Sequence, residues 1–246
     1  MMRSSLISPT IWLANERKGF IMGKNDNGNN GRTELVFVVD RSGSMGGLES
    51  DTIGGFNSML SKQRTIAGEC RVTTLLFDHR IETLHNHLDI REVNDLTSRD
   101  YWVRGSTALL DAIGLAIDRM IVTQRHTAAA YRAQHVLFVI ITDGYENAGR
   151  RYSLHQIKQM ITYERERYHW EFVFLGANID AEQTAGDFGI SPRCATDFHA
   201  DGQGIKPRLR PLPVPRPPCA EVLTLRTSTR RTFLVVFVMT IGLVVE

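Results

Sequence analysis

The chain has 246 residues, which is long enough to bury a sizeable core, and this length favours one domain with or without appendages. Charged residues make up 23% of the sequence and the formal net charge is only +2, so no overall basic field favours a nucleic-acid partner. The three cysteines, Cys70, Cys194 and Cys219, are odd in number and lack the paired spacing of a disulfide framework or a zinc site. We therefore expect a reducing, cytoplasmic setting.

Residues 1–31 are predicted to form a flexible segment ahead of the domain. The opening stretch MMRSSLISPTIWLANERKGFIM has a short apolar run interrupted by Pro9 and no small-residue cleavage site, so it is a poor signal peptide. The polar, glycine-rich GKNDNGNNGRT that follows is typical of flexible chain. An alternative start at Met22 is a further hypothesis, because Arg17-Lys18-Gly19 can be encoded by a purine-rich stretch resembling a ribosome-binding site.

From Glu34 onward, short apolar runs alternate with longer segments of helical period. The runs ELVFVVD and HVLFVIITDG predict strands that are buried on both faces, and their apolar parts end at Asp40 and Asp143. CRVTTLLFD and RIETLHNHLDI, joined at Asp78-His79, predict an antiparallel hairpin at a sheet edge. The pattern predicts a three-layer, doubly wound, Rossmann-like α/β fold, with a mostly parallel sheet and one antiparallel edge strand.

The covering helices are predicted from apolar residues at helical spacing. Leu48 to Ile66 and Thr107 to Ile121 each carry one apolar face. A helix from about Ser153, the strand EFVFLGA, a helix from Asp180 to Phe188 and a short strand near CATDF complete the α/β order.

Carboxylates and hydroxyls collect where the predicted strands end. Ser42 and Ser44 follow Asp40 at alternate positions, so all three side chains can point the same way. Thr107 and Asp143 would lie at the same carboxyl edge, where open α/β sheets bind ligands. An all-oxygen set without histidine or thiol selects magnesium, manganese or calcium over zinc. Because six-coordinate magnesium keeps several waters, such a site leaves a position for an external ligand, such as an Asp or Glu of a partner.

Each of these residues also has a simpler interpretation. Asp40 and Asp143 could cap the helices that follow them, and Thr107 could cap the helix that begins in ALLDAI. The ordered set, rather than any single residue, favours the metal site. His85 and His87 are two residues apart and could share a strand face as metal ligands. We favour solvated strand residues, because no acid or cysteine at convincing spacing completes that set.

The motifs DRSGSM, GSTALLDAI and TDG resemble, in order and approximate spacing, those of the von Willebrand factor A family with its metal-ion-dependent adhesion site. The resemblance covers roughly Thr33 to Phe198 and places the domain at residues 32–200. LFDHRI and FLGANIDA are similar to stand-alone intracellular bacterial members rather than to animal adhesion proteins. The resemblance implies a Mg²⁺ or Mn²⁺ ion, held partly through water, by Asp40, Ser42, Ser44, Thr107 and Asp143. It also implies that a partner's carboxylate completes the coordination shell.

We therefore expect a divalent-metal-dependent protein-binding module rather than an enzyme, since the serines are committed to the metal and no Ser-His-acid arrangement is suggested. The alternative is a magnesium-dependent phosphoryl-transfer enzyme or hydrolase using the same strand-end carboxylates. Against it, the sequence lacks a GKS/T phosphate loop and a second aspartate two residues after Asp40. A structural module without metal is a third alternative. Glu146, close behind TDG, is expected to be exposed rather than near the metal.

Residues 201–246 form an atypical tail. IKPRLRPLPVPRPPC holds six of the eight prolines, which prevents helical packing, whereas the family that the chain resembles continues with a helix here. The apolar run Phe233 to Val245 has thirteen residues, fewer than the roughly 20 needed to span a bilayer. A weak interfacial membrane anchor and a PxxP-type ligand are two accounts of this tail. We favour a third, a shifted reading frame or altered terminus that replaced the final helix.

Overall fold

The computed structural model describes residues 31–198 except residues 67, 145 and 178. The proposed start at Met22, most of the N-terminal segment and the tail from residue 201 lie outside the described residues. At the centre is a six-stranded sheet of order β3-β2-β1-β4-β5-β6. Its strands are β1 (Thr33–Asp40), β2 (Cys70–Phe77), β3 (Ile81–Asp89), β4 (His135–Thr142), β5 (Glu171–Ala177) and β6 (Ala195–Phe198). Every neighbouring pair is parallel except β2 and β3, which confirms the predicted sheet.

Within the described ranges, four α-helices cover the sheet, namely α1 (Glu49–Arg64), α2 (Leu109–His126), α3 (Leu154–Tyr168) and α4 (Ala181–Asp187). Alternate residues of β1 supply two separate cores, because side chains of a strand point to opposite faces in turn. Phe37 packs on the α1 side, with its ring centroid 4.6 Å from that of Phe56. Val36 and Val38 pack on the side of α2, α3 and α4. Removing a fully buried ring such as Phe37 by substitution with Ala would cost about 3–5 kcal/mol. The three-layer α/β prediction is therefore confirmed.

The strand order places a crevice between β1 and β4. The chain builds β1, β2 and β3 toward one edge, then crosses back through α2 to β4 on the other side of β1. Ligands of open α/β sheets bind outside the carboxyl ends of the strands at such a reversal. The loops that follow β1 and β4, and the loop that leads into α2, meet at this crevice.

The β2–β3 hairpin places His85 and His87 differently from both alternatives of the sequence analysis, namely solvated strand residues and metal ligands that share one face. The pairing of β3 with β2 shifts register between Val72 and Thr74 and again between Thr74 and Leu75, and His87 has a positive φ of 54°. As a result, His85 contacts Thr74 and stacks on Phe56 on the α1 side of the sheet. His87 contacts Glu34, which lies on the same face of β1 as Val36, the face that is covered by α2. The two histidines are half-buried and lie on opposite faces, so they cannot ligate one ion together.

None of the helices within the described ranges is long and apolar enough to cross a membrane.

Candidate metal centre

The turn after β1 is bent by the first residue of the site. Oδ1 of Asp40 accepts a hydrogen bond from the Ser42 N–H at 2.7 Å, and the chain then enters a short 3₁₀ turn. The Gly43 N–H donates to the carbonyl of Gly105 at 3.0 Å, which ties this turn to the loop before α2. A Cβ at position 43 would lie 3.3 Å from that carbonyl oxygen, so the close approach favours glycine.

Three hydroxyls and a carboxylate form a connected cluster at the crevice. Ser42 Oγ lies 3.0 Å from Ser44 Oγ, and Thr107 Oγ1 donates to Ser42 Oγ at 3.0 Å. Ser44 Oγ donates to Asp143 Oδ1 at 2.7 Å. Ser42 and Thr107 are buried, Asp143 is half-buried and Ser44 is exposed, so the cluster opens to solvent at Ser44. With the Asp40–Ser42 bond, the structure brings all five predicted residues together, and their metal-binding role stays a prediction.

Asp40 lies at the buried end of this cluster. Its Oδ2 accepts a hydrogen bond from the Thr142 hydroxyl at 2.6 Å, so both carboxylate oxygens have a donor from the protein. Burial raises the pKa of Asp40 from 3.8 to about 6, against the lowering effect of the hydrogen bonds from Thr142 and Ser42. A cation nearby would favour the ionised carboxylate. Within the described residues, the hydrogen bonds of the Asp40 carboxyl run to Ser42 and Thr142, so Asp40 joins the cluster through Ser42 alone.

Two contacts of Asp40 were missed by the sequence analysis. Thr142 is the last residue of β4, and only its place at the end of an apolar strand signalled a role. The Tyr101 hydroxyl, almost fully buried, donates to the main-chain oxygen of Asp40 at 2.5 Å. Both fix the end of β1 from elements that lie far away in the sequence.

Gly144 keeps the space above the cluster open. A Cβ at this position would lie 3.1 Å from Ser44 Oγ and 3.2 Å from Thr107 Oγ1. Burial also raises the pKa of the neighbouring Asp143, while the hydrogen bond from Ser44 lowers it. A side chain at position 144 would therefore take up space directly beside the Ser44 and Thr107 hydroxyls.

The spacing of the hydroxyls suits an octahedral ion. Neighbouring ligands of an ion with bond lengths of about 2.1 Å in octahedral geometry are separated by about 3.0 Å. Ser42 Oγ lies at this distance from both Ser44 Oγ and Thr107 Oγ1. The same distance is normal for O–H···O bonds, so the hydroxyls could exchange their mutual hydrogen bonds for an ion with little movement. Among the residues that the structure describes, no group of three or more His, Cys, Asp and Glu side chains is arranged to hold a metal, so this site depends on its hydroxyls.

The segment after Asp143 is held firmly, which corrects the expectation that Glu146 is merely exposed. Glu146 is half-buried, and its carboxylate accepts backbone N–H bonds from Leu110, Ala148 and Gly149. The loop between β4 and α3 is thus attached to the first turn of α2.

A charged network lies beside the cluster. Arg41, fully buried, pairs with Glu82 at 2.6 Å and approaches Asp78 at 3.3 Å, while Arg104 Nε donates to Asp78 at 2.7 Å. The guanidinium carbons of Arg41 and Arg104 lie 5.6 and 5.7 Å from the ring centroid of Trp102. Trp102 is 44% exposed. The rim of the crevice is therefore partly aromatic, and it carries both guanidinium and carboxylate groups.

At the opposite, amino end of the parallel strands lies a second polar region. Burial raises the pKa of Glu34 from 4.5 to about 8, opposed by the positive charge of Arg71. The Nδ1 of His87 lies 3.1 Å from the Glu34 carboxyl, and burial lowers the pKa of His87. These groups line a small cavity of about 130 Å³, well separated along the strands from the hydroxyl cluster.

The chain matches no protein-family model and no curated protein. Among solved structures it is similar to proximal thread matrix protein 1 of the mussel byssus, with 15% identity and a TM-score of 0.46 over 69% of this chain and 42% of that one. One structure of that mussel protein has a zinc-occupied MIDAS motif. The chain thus spans about two fifths of the mussel protein.

Two further structures are similar over longer parts of their own chains. Manganese-loaded TRAP protein of Plasmodium vivax has 18% identity and a TM-score of 0.48, over 70% of each chain. BatB of Bacteroides thetaiotaomicron has 14% identity and a TM-score of 0.38, over 60% of this chain and 68% of that one. At these identities and TM-scores the likenesses do not show the function of this chain.

Proposed function

We propose that the chain is a divalent-metal-dependent protein-binding module of the von Willebrand factor A type. In this proposal Mg²⁺ or Mn²⁺ binds at the carboxyl edge of the sheet, and an Asp or Glu of a partner protein completes its coordination. The single observation that carries it is the convergence of three hydroxyls and two carboxylates from three separate loops. The all-oxygen chemistry of this set suits such an ion, and so does the 3.0 Å distance from Ser42 Oγ to Ser44 Oγ and to Thr107 Oγ1.

The proposed roles of the residues follow from the hydrogen bonds that each one makes. Ser42, Ser44 and Thr107 present hydroxyl oxygens toward the shared space, so they are the proposed direct ligands. Asp143 lies beside Ser44, and Asp40 lies beneath them with both oxygens already hydrogen-bonded. We propose that these two carboxylates act partly through water and balance the charge of the ion.

The open side of the cluster supports a partner as the last ligand. Ser44 is exposed and no side chain is present at Gly144, so an incoming carboxylate has room to reach the ion. The exposed face of Trp102 lies on the rim of the same crevice and offers an aromatic contact to that partner. A stand-alone, intracellular bacterial type and a cytoplasmic setting remain parts of this proposal, supported by LFDHRI, FLGANIDA and the cysteine spacing.

Binding rather than catalysis is also part of the proposal. The hydrogen bonds of the three hydroxyls, within the described part of the chain, run to one another and to Asp143 rather than to a histidine. Activation of a serine as a nucleophile requires an adjacent base, and the carboxylate beside Ser44, that of Asp143, is in this proposal committed to balancing the charge of the ion. A hydrolase is therefore the weaker candidate, and the experiment below includes an assay for it.

The test is thermal unfolding of the full chain with EDTA, Mg²⁺ or Mn²⁺, beside Asp40→Ala. A native-state ligand at about 100 times its Kd stabilises by about 2.7 kcal/mol, which predicts a rise in Tm of roughly 5 °C or more for a domain of this size. We expect this rise in the wild-type chain and its loss in Asp40→Ala. The matched control is Asp95→Ala, since Asp95 is an exposed carboxylate paired with Arg64 away from the cluster.

Two results would contradict the proposal. One is a folded wild-type chain whose Tm does not respond to millimolar Mg²⁺ or Mn²⁺, or responds equally after Asp40→Ala. The other is metal-dependent hydrolysis of a phosphate ester such as p-nitrophenyl phosphate that requires Asp40, which would favour the enzyme alternative.

A further inference from the structure

Helix α2 begins without a cap of its own. The residue at its N-cap position, Ala108, has no side chain that can accept a hydrogen bond from the first turn. The first N–H groups of a helix have no partner inside the helix and need an acceptor. Here Glu146, from the loop between β4 and α3, accepts the Leu110 N–H at 2.7 Å. An acidic side chain at the N-terminus of α2 also interacts favourably with the helix dipole.

The same loop holds the backbone of Thr107 from both sides. Oδ1 of Asn147 accepts a hydrogen bond from the Thr107 N–H at 2.8 Å. The Thr107 carbonyl in turn accepts from the N–H groups of Asn147 and Ala148, at 3.0 and 3.1 Å. Glu146 stiffens this arrangement, because its other oxygen accepts the Ala148 N–H at 2.7 Å.

These contacts join two parts of the candidate site that come from different loops. Thr107 precedes α2, whereas Asp143 follows β4, and Glu146 and Asn147 come three and four residues after Asp143. Among the described residues, the Thr107 hydroxyl joins the cluster through its hydrogen bond to Ser42. The separation between the Thr107 and Asp143 oxygens therefore depends on the backbone contacts that Glu146 and Asn147 provide, together with the bonds from Gly43 to Gly105 and from Ala108 to Asp78 that hold the loop before α2.

We infer that Glu146 and Asn147 are positioning residues for the metal centre, holding Thr107 in register with Asp143 without touching the ion. This inference rests on the proposed function. Outer residues that orient metal ligands typically change metal affinity by about 10- to 100-fold when they are replaced. The acceptor oxygens at positions 146 and 147, rather than the bulk of the side chains, determine the placement of Thr107.

The test measures Mn²⁺ affinity of the full chain by the EPR signal of free Mn²⁺, together with Tm in EDTA. Asn147→Leu keeps the size of the side chain and removes the acceptor, and Glu146→Gln replaces one of the two acceptor oxygens by a donor. We expect both to weaken Mn²⁺ binding by about 10-fold or more. Asn147→Asp keeps an oxygen toward the Thr107 N–H, so it should restore affinity.

The matched control is Asn57→Leu. Asn57 makes the same kind of contact elsewhere, since its side chain donates to the Leu96 carbonyl at 2.9 Å and accepts the Leu96 N–H at 2.7 Å. This variant should lower Tm in EDTA but leave Mn²⁺ affinity unchanged. Equal affinities of wild type and Asn147→Leu, or an equal loss of affinity in Asn57→Leu, would overturn the positioning role while leaving the proposed function intact. Failure of the wild-type chain to bind Mn²⁺ would overturn both.

Discussion

Replacing Thr142 by valine tests the electrostatics of the candidate centre directly. The two side chains have nearly the same shape, but valine cannot donate the 2.6 Å hydrogen bond to Asp40 Oδ2. Thr142 and Asp40 are both fully buried, so water does not replace the lost donor without rearrangement. The substitution removes one donor from a buried carboxylate and also the acceptor of the Gly144 N–H, 3.1 Å away, while the packing of β4 stays almost unchanged.

The expected loss of stability depends on pH. At pH 8 Asp40 is ionised, and a hydrogen bond to a charged group contributes about 1.5–3 kcal/mol. At pH 5, below the pKa of about 6, the carboxyl is protonated and the bond contributes about 0.5–1.5 kcal/mol. Since the folded-state pKa of Asp40 is raised above its ordinary 3.8, stability from this group declines as pH rises toward 6. Loss of the Thr142 donor raises that pKa further and makes the decline larger.

The assay is urea unfolding in EDTA at pH 5 and pH 8, followed by Mn²⁺ titration at pH 8. We expect a larger loss of unfolding free energy at pH 8 than at pH 5, and metal affinity lower by about 10- to 100-fold. Thr74→Val is the control, because Thr74 is equally buried but its hydroxyl contacts His85 at 3.0 Å on the other side of β1. An equal loss at the two pH values, or unchanged Mn²⁺ affinity, would refute the reasoning.

Three further substitutions probe the site and the surrounding fold. Gly144→Ala places a Cβ 3.1 Å from Ser44 Oγ, so Mn²⁺ affinity should fall while Tm in EDTA changes little; unchanged affinity would contradict an ion in that space. Glu34→Gln removes a carboxyl whose unfolded pKa of 4.5 rises to about 8 on burial, and each pH unit between these values costs the wild type about 1.4 kcal/mol. The variant should gain stability over the wild type from pH 5 to pH 8.5 in urea unfolding, and a constant difference would argue against burial as the cause. Gly114→Ala puts a Cβ 2.6 Å from the ring of Tyr152, and we expect a loss of about 1–3 kcal/mol, seen as a lower Tm. A Tm equal to that of the wild type would show that the ring moves aside freely.

The strands and the meeting of the five site residues followed from local sequence pattern. A parallel sheet brings the carboxyl ends of its strands to one edge, so an apolar run ending in Asp40 and another ending near Asp143 predict a shared location. The placement of Ser42 and Ser44 followed from their alternation after Asp40. That these five residues bind a metal ion stays a prediction.

Contacts that depend on strand register or on loop geometry could not be predicted from the sequence. The β-bulge that turns His85 and His87 to opposite faces exists only in relation to β2, and nothing in RIETLHNHLDI marks it. Thr142 meets Asp40 across 102 positions of sequence, in a neighbouring strand. Glu146 was expected to be exposed, because a carboxylate in a polar loop carries no local sign that it accepts the first N–H groups of a helix. The spacing of apolar residues indicates which face of a helix or strand is buried. These contacts depend instead on how separate helices, strands and loops are positioned against each other.

The predominance of neutral hydroxyls among the proposed direct ligands has a thermodynamic consequence. With only Asp40 and Asp143 as carboxylates, and one of them engaged by two protein donors, the ion would keep much of its attraction for an outside anion. Ion and partner would then strengthen each other's binding by the same factor, as reciprocity of linked equilibria demands. In this proposal a chain without its partner would bind the ion more weakly, and a partner's carboxylate would lower the Kd for Mn²⁺.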